Sequence, residues 1–134
     1  MGQTQILMII LAVIIIGIAV TVGITQFGES SLAANRDAVA GDCQRVIASA
    51  QQWYKKPTSL GGGGNAFTGV TLAGLGISAN NANGSVALAV ADATNITCTG
   101  TGNEKTSAGN AVTVTMAFDA AANTITTTDN MAAE

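Results

Sequence analysis

The sequence predicts an α+β fold: one long N-terminal helix, apolar in its first half and amphipathic in its second, packed on a small antiparallel β-sheet head. Three observations carry this. Residues 6–24 are apolar apart from Thr21, and no charged side chain precedes Glu29. Residues 29–55 set apolar side chains at three- and four-residue spacing among charged and amide ones, the period of a half-buried helix. From residue 57 onward Thr, Asn, Gly and Ala dominate, and short runs rich in Val, Ile and Thr are separated by turn residues. The chain therefore divides into an apolar helix over 1–28, its amphipathic continuation over 29–56, and a Gly/Thr/Asn-rich β head over 57–134.

The apolar stretch is the strongest signal. Nineteen residues rising 1.5 Å each make a helix of roughly 28 Å, about the hydrocarbon thickness of a bilayer. Such a helix has no face to turn toward water, so Ile6, Leu7, Met8, Ile9, Ile10, Leu11, Val13, Ile14, Ile15, Ile16 and Ile18 must be covered by lipid or by other helices. A cleavable secretory signal would begin with positive charge and carry a shorter apolar core. Residues 1–5 (MGQTQ) hold no Lys or Arg, and the apolar run continues smoothly into the next helical segment. An ordinary anchor usually carries Lys or Arg on its cytoplasmic side. The missing positive flank predicts that a basic leader has been removed, leaving a free amine on Met1.

Within this rod, Ala12, Gly17, Ala19 and Gly23 would let neighbouring helices approach closely. Gly17 and Gly23 each weaken the helix by about 1 kcal/mol relative to Ala. Two readings stay open for residues 14–24: local melting around Gly17, Thr21 and Gly23 when the rod is buried, or a continuous helix, since no Pro forces a break.

In the second half, Leu32, Val39, Cys43, Val46, Ile47, Ala50 and Tyr54 form one stripe, while Arg36, Asp37, Asp42, Gln44, Arg45, Gln51 and Gln52 fill the other faces. Trp53, near the exit of the helix, reads as a cap on the core rather than a ligand platform. Pro57 and the four glycines of 61–64 end the helix. The glycines do not make a phosphate loop, because no Lys-Ser or Lys-Thr follows them and no helix comes after. They read as a flexible turn from rod to head.

Strands are expected over 86–91, 96–99, 112–118 and 124–128, with a shorter strand or turn over 70–75. Val112, Val114, Met116 and Phe118 alternate with Thr113, Thr115 and Ala117, the pattern of a strand with one wet face. About 80 head residues are too few for a large core, so the helix must supply much of it. Cys43 falls on the inward stripe and Cys98 within a strand. A disulfide would staple helix to sheet, stabilising by at most about 4 kcal/mol; two buried free thiols are the other reading. Zinc is not credible with two Cys and no His.

Asn83-Gly84-Ser85 and Asn95-Ile96-Thr97 match the N-glycosylation pattern, which also arises by chance in a chain this rich in Asn and Thr. The exposed Thr and Ser hydroxyls leave O-linked sugar open. Asp92, Asp119 and Asp129 lie near turns without calcium-loop spacing and read as solvated. Catalysis finds no foothold: there is no His and no nucleophile with an identifiable base. A pI near 4.6, with Arg36, Arg45, Lys55, Lys56 and Lys105 the only basic residues, gives nucleic-acid binding little support. Phe27, Trp53, Tyr54, Phe67 and Phe118 are too few for a continuous aromatic path, and no haem attachment motif is present. No cofactor is expected.

The N-terminal segment resembles the type IV pilin superfamily, which includes bacterial pilins, type II secretion pseudopilins and archaeal pilins. In that family a leader is cut before an apolar helix opening Phe-Thr-Leu-Ile-Glu-Leu-Met-Ile, followed by further Ile, Val, Ala and Gly. Thr4, Leu7, Met8, residues 9–13, Gly17 and Ala19 match. The motif covers the first twenty-odd residues and the layout the whole chain. The departure lies at the fifth position, where Gln5, or Ile6 in the alternative register, stands in place of Glu. In bacterial pilins that Glu is thought to pair with a neighbouring subunit's amine. A buried carboxylate without its partner costs several kcal/mol; Gln5 can accept a hydrogen bond from the Met1 amine of a neighbour without that cost, and Gln3 can share the role. Archaeal pilins often lack the Glu as well.

The resemblance implies a lollipop-shaped, non-enzymatic structural subunit. It would wait in the cytoplasmic membrane, be processed by a prepilin peptidase with methylation of the new amine, and be drawn by inner-membrane machinery into an extracellular helical homopolymer. The head would then serve adhesion, motility or surface attachment. The alternatives are a type II secretion pseudopilin and a monomeric single-pass membrane-anchored binding domain.

Overall fold

In the computed structural model, which describes residues 2–131, a 54-residue helix α1 (Gly2–Lys55) runs from the start of the chain into the head. At 1.5 Å per residue it is roughly 80 Å long. A 3-10 turn (Thr58–Leu60) and a series of tight turns follow. Five strands come next: β1 (Asn80–Asn81), β2 (Gly84–Val90), β3 (Asn95–Lys105), β4 (Ala111–Asp119) and β5 (Thr124–Asp129). The sheet is an antiparallel meander in sequence order. The fold is thus the α+β arrangement expected, with one helix laid on one sheet.

Strand boundaries differ from the expectation in an instructive way. Residues 70–75 form turns, with the Leu75 amide donating to Thr71 and Leu72 carbonyls. The two-residue β1 has no periodic signal to announce it. The largest difference is β3, which continues past Thr99 through Gly100 and Gly102 to Lys105. Glycine reads as a strand breaker, but here it is a packing requirement. A Cβ on Gly100 would overlap Val39, and one on Gly102 would overlap the Asn35 side chain.

The inward residues of β3 run Ile96, Cys98, Gly100, Gly102, shrinking toward the strand's end as α1 draws close. Cys43 is bonded to Cys98, Val39 lies over Gly100 and Asn35 over Gly102. Four helix residues advance about 6 Å and two strand residues about 6.7 Å. Helix and strand, running antiparallel, therefore stay in step over this stretch.

The core lies between the stripe of α1 and the inner sheet face: Val39, Cys43, Val46, Ile47 and Ala50 from the helix against Val86, Ile96, Cys98, Val114, Met116 and Phe118. Phe67 plugs its far end, tilted against Tyr54 at 4.7 Å between ring centroids and edge-on to Phe118 at 6.0 Å. Trp53 packs half-buried against this core, the capping role expected of it.

The glycine run is not a loose turn. The amides of Gly63, Gly64 and Asn65 donate to the carbonyls of Trp53, Lys56 and Tyr54 at 2.8 to 2.9 Å. They satisfy acceptors that a helix C-terminus otherwise leaves orphaned. Gly63 must lack a side chain because its Cβ would overlap the Trp53 ring.

Candidate assembly surface

Every residue of α1 from Gly2 to Ser30 is exposed. From Ile6 at 59% to Ile24 at 69% exposure, every large apolar residue faces outward, and Phe27 reaches 75%. A window of mean hydropathy 3.1, none of it buried, makes this segment long and apolar enough to cross a bilayer. The same helix supplies the heart of the head's core from Val39 onward, so rod and head share one continuous helix.

Gln3 and Gln5 sit on the exposed first turns of α1; Met1, the remaining member of the expected register group, lies outside the described residues. Gly17, Thr21 and Gly23 lie in unbroken helix. The Thr21 hydroxyl donates to the Ile18 carbonyl at 2.8 Å and the Thr25 hydroxyl to that of Val22 at 2.9 Å. The hydroxyls of Thr21 and Thr25 are therefore bonded locally, as burial in an apolar medium requires. A Cβ at Gly17 or Gly23 would meet nothing, so the chain's own packing does not demand glycine there. Ala19 and Gly23 form a shallow apolar depression flanked by Ile15, Ile18 and Val22.

Polar ties between side chains of α1 and the strands set the helix on the sheet. The Asn35 amide donates to the Asn83 carbonyl at 2.9 Å. Asp42 accepts from the amides of Asn81 and Asn83 at 2.8 and 3.0 Å. On the opposite flank, Arg36 Nε donates to Asp129 at 2.8 Å. These bonds anchor both sides of the meander to α1, and none was visible in the sequence because the partners lie 39 to 93 residues apart.

No family model matches the chain, and no curated protein or solved structure is similar to it. The reading of this surface therefore rests on the chain's own chemistry.

The Cys43–Cys98 disulfide joins α1 to the central strand across 5.7 Å between Cα atoms, inside the range a disulfide spans. Both amide nitrogens of the glycosylation patterns are engaged. Asn83 is held by Asp42, and Asn95 donates to both oxygens of Asp92 at 3.1 and 2.9 Å. Asp92 also accepts from the Thr94 amide and hydroxyl and from the Asn95 amide proton. The Asn95 side chain first, then the Thr94 groups, hold this fully exposed carboxyl down at about 2, against an ordinary 3.8. Asp92 is thus the organiser of the β2–β3 turn. Asp119 likewise accepts from the amides of Ala121 and Ala122. Among the described residues, no group of three or more His, Cys, Asp or Glu side chains is placed to hold a metal ion.

Where the rod meets the head, a cleft of about 300 Å³ opens between Thr25, Gly28, Glu29 and Leu32 of α1 and the β3–β4 hairpin at 104–107. Sequence reasoning missed it, since its walls come from segments some 75 residues apart and neither carries a motif.

Proposed function

We propose that this chain is a structural subunit of an extracellular type IV pilus-like filament, polymerising through the exposed apolar half of α1 and presenting its head outward. One observation carries the reading: a continuous helix whose first half is apolar on every side and bare, while its second half is the backbone of a covalently stapled head. Leaving that much apolar surface in water is strongly unfavourable, at about 25 cal/mol per Å². Lipid covers it before assembly and copies of the same helix cover it afterward. Because the two surroundings are similarly apolar, transfer between them is not prohibitive. A single-pass anchored domain is the second reading, favoured by a span that matches one bilayer.

Shearing intact cells and imaging the supernatant by electron microscopy, with N-terminal sequencing of the main protein, separates the two. Thin filaments built of this chain are expected. Recovery only as a membrane-bound monomer would overturn the filament reading and leave the anchor.

A further inference from the structure

We infer that the cleft at the neck binds the headgroup of a zwitterionic phospholipid bearing a primary ammonium, such as phosphatidylethanolamine, while the chain resides in a bilayer. The inference rests on the membrane-resident stage of the proposed function. Its position is the first argument. The apolar run ends at Ile24, and Glu29 lies five residues on, about 7.5 Å along the helix. The polar headgroup layer on each side of a bilayer is roughly 5 to 7.5 Å deep. With the apolar run seated in the hydrocarbon, the cleft opens within that layer.

The second argument is charge. Glu29 and Glu104 line the cleft together with Lys105. Among the described residues none of these three side chains makes a hydrogen bond or ion pair: the two salt bridges present are Arg36 with Asp37 and Arg36 with Asp129. A site with two unpaired carboxylates and one unpaired ammonium is complementary to a ligand that carries both signs. The lipid ammonium donates to the carboxylates and the lipid phosphate accepts from Lys105, each a charge-assisted hydrogen bond. A choline headgroup has no N–H to donate, and a glycerol headgroup has no cation. Leu32, half-buried in the wall and farther from the hydrocarbon than Glu29, gives the ethanolamine methylenes an apolar contact.

The test reconstitutes the full chain into bilayers of mixed phosphatidylethanolamine, phosphatidylcholine and phosphatidylglycerol. Lipid retained after mild extraction is identified by native mass spectrometry. Retention of phosphatidylethanolamine over the other two by roughly tenfold is expected, the factor one charge-assisted hydrogen bond supplies. The double variant E29Q/E104Q should lose that preference while keeping the wild-type circular dichroism and denaturant midpoint. The K105Q variant should weaken retention of phosphatidylethanolamine.

Equal retention of all three lipids, a preference for phosphatidylglycerol, or a preference untouched by E29Q/E104Q would overturn the inference and leave membrane residence intact. Release of the wild-type chain from the bilayer by alkaline carbonate would overturn membrane residence and the inference with it.

Discussion

Val39 occupies the space that a side chain on Gly100 would need, so the approach of α1 to the sheet at this point depends on an absence of atoms on β3. Gly100→Ala should force helix and strand apart or push Val39 off its rotamer. A loss of about 1 to 3 kcal/mol is expected, read as a lower denaturant midpoint at unchanged slope. A pairing of G100A with V39A should recover part of that loss.

Gly17 provides the contrast, because a side chain there meets nothing within the chain. Gly17→Leu should leave the head's denaturant midpoint unchanged and lower the yield of sheared filaments. Equal yields would show that this face of the rod is not packed against neighbouring copies.

The disulfide closes a loop of 55 residues' separation. Replacing both cysteines by Ala should cost about 4 kcal/mol on the chain-entropy account. Denaturation of the wild type with and without reductant should show a midpoint difference of the same sign, and the double variant should be indifferent to reductant.

Asp92 makes the β2–β3 turn acid-sensitive. Its carboxyl is held at about 2 in the folded chain, below the ordinary 3.8. A depressed folded pKa means that its stabilising effect is fully present above 3.8 and is lost as pH falls through about 2. Following the Asp92 carboxyl carbon by NMR should give a midpoint near 2. In the Asp92→Asn variant stability should vary less between pH 4 and 2 than in the wild type.

The layout of this fold was legible because its two dominant signals are periodicities. The apolar run and the stripe through Val39, Cys43 and Val46 fix a helix and its inward face, and the alternation from Val112 to Phe118 fixes β4. What stayed illegible depends on proximity in space. The continuation of β3 through Gly100 and Gly102 follows from the nearness of α1, which no local pattern encodes. The anchoring of Asp42 by Asn81 and Asn83, and of Arg36 by Asp129, pairs residues whose types are ordinary for any surface. The glycines of 61–64 signalled the end of the helix but not that their amides would cap it. At the neck, Glu29 and Lys105 are unremarkable until the hairpin brings them to one cleft.

The staple between Cys43 and Cys98 also decides how the chain bears load. A pull along α1 enters the sheet through a covalent bond at Cys98 of β3, the central strand. That strand is hydrogen-bonded to β2 on one side and β4 on the other. Because α1 and β3 run antiparallel, the force acts along the strand, and its hydrogen bonds must shear together rather than open one at a time. The head is therefore coupled to the rod in the geometry that best resists tension.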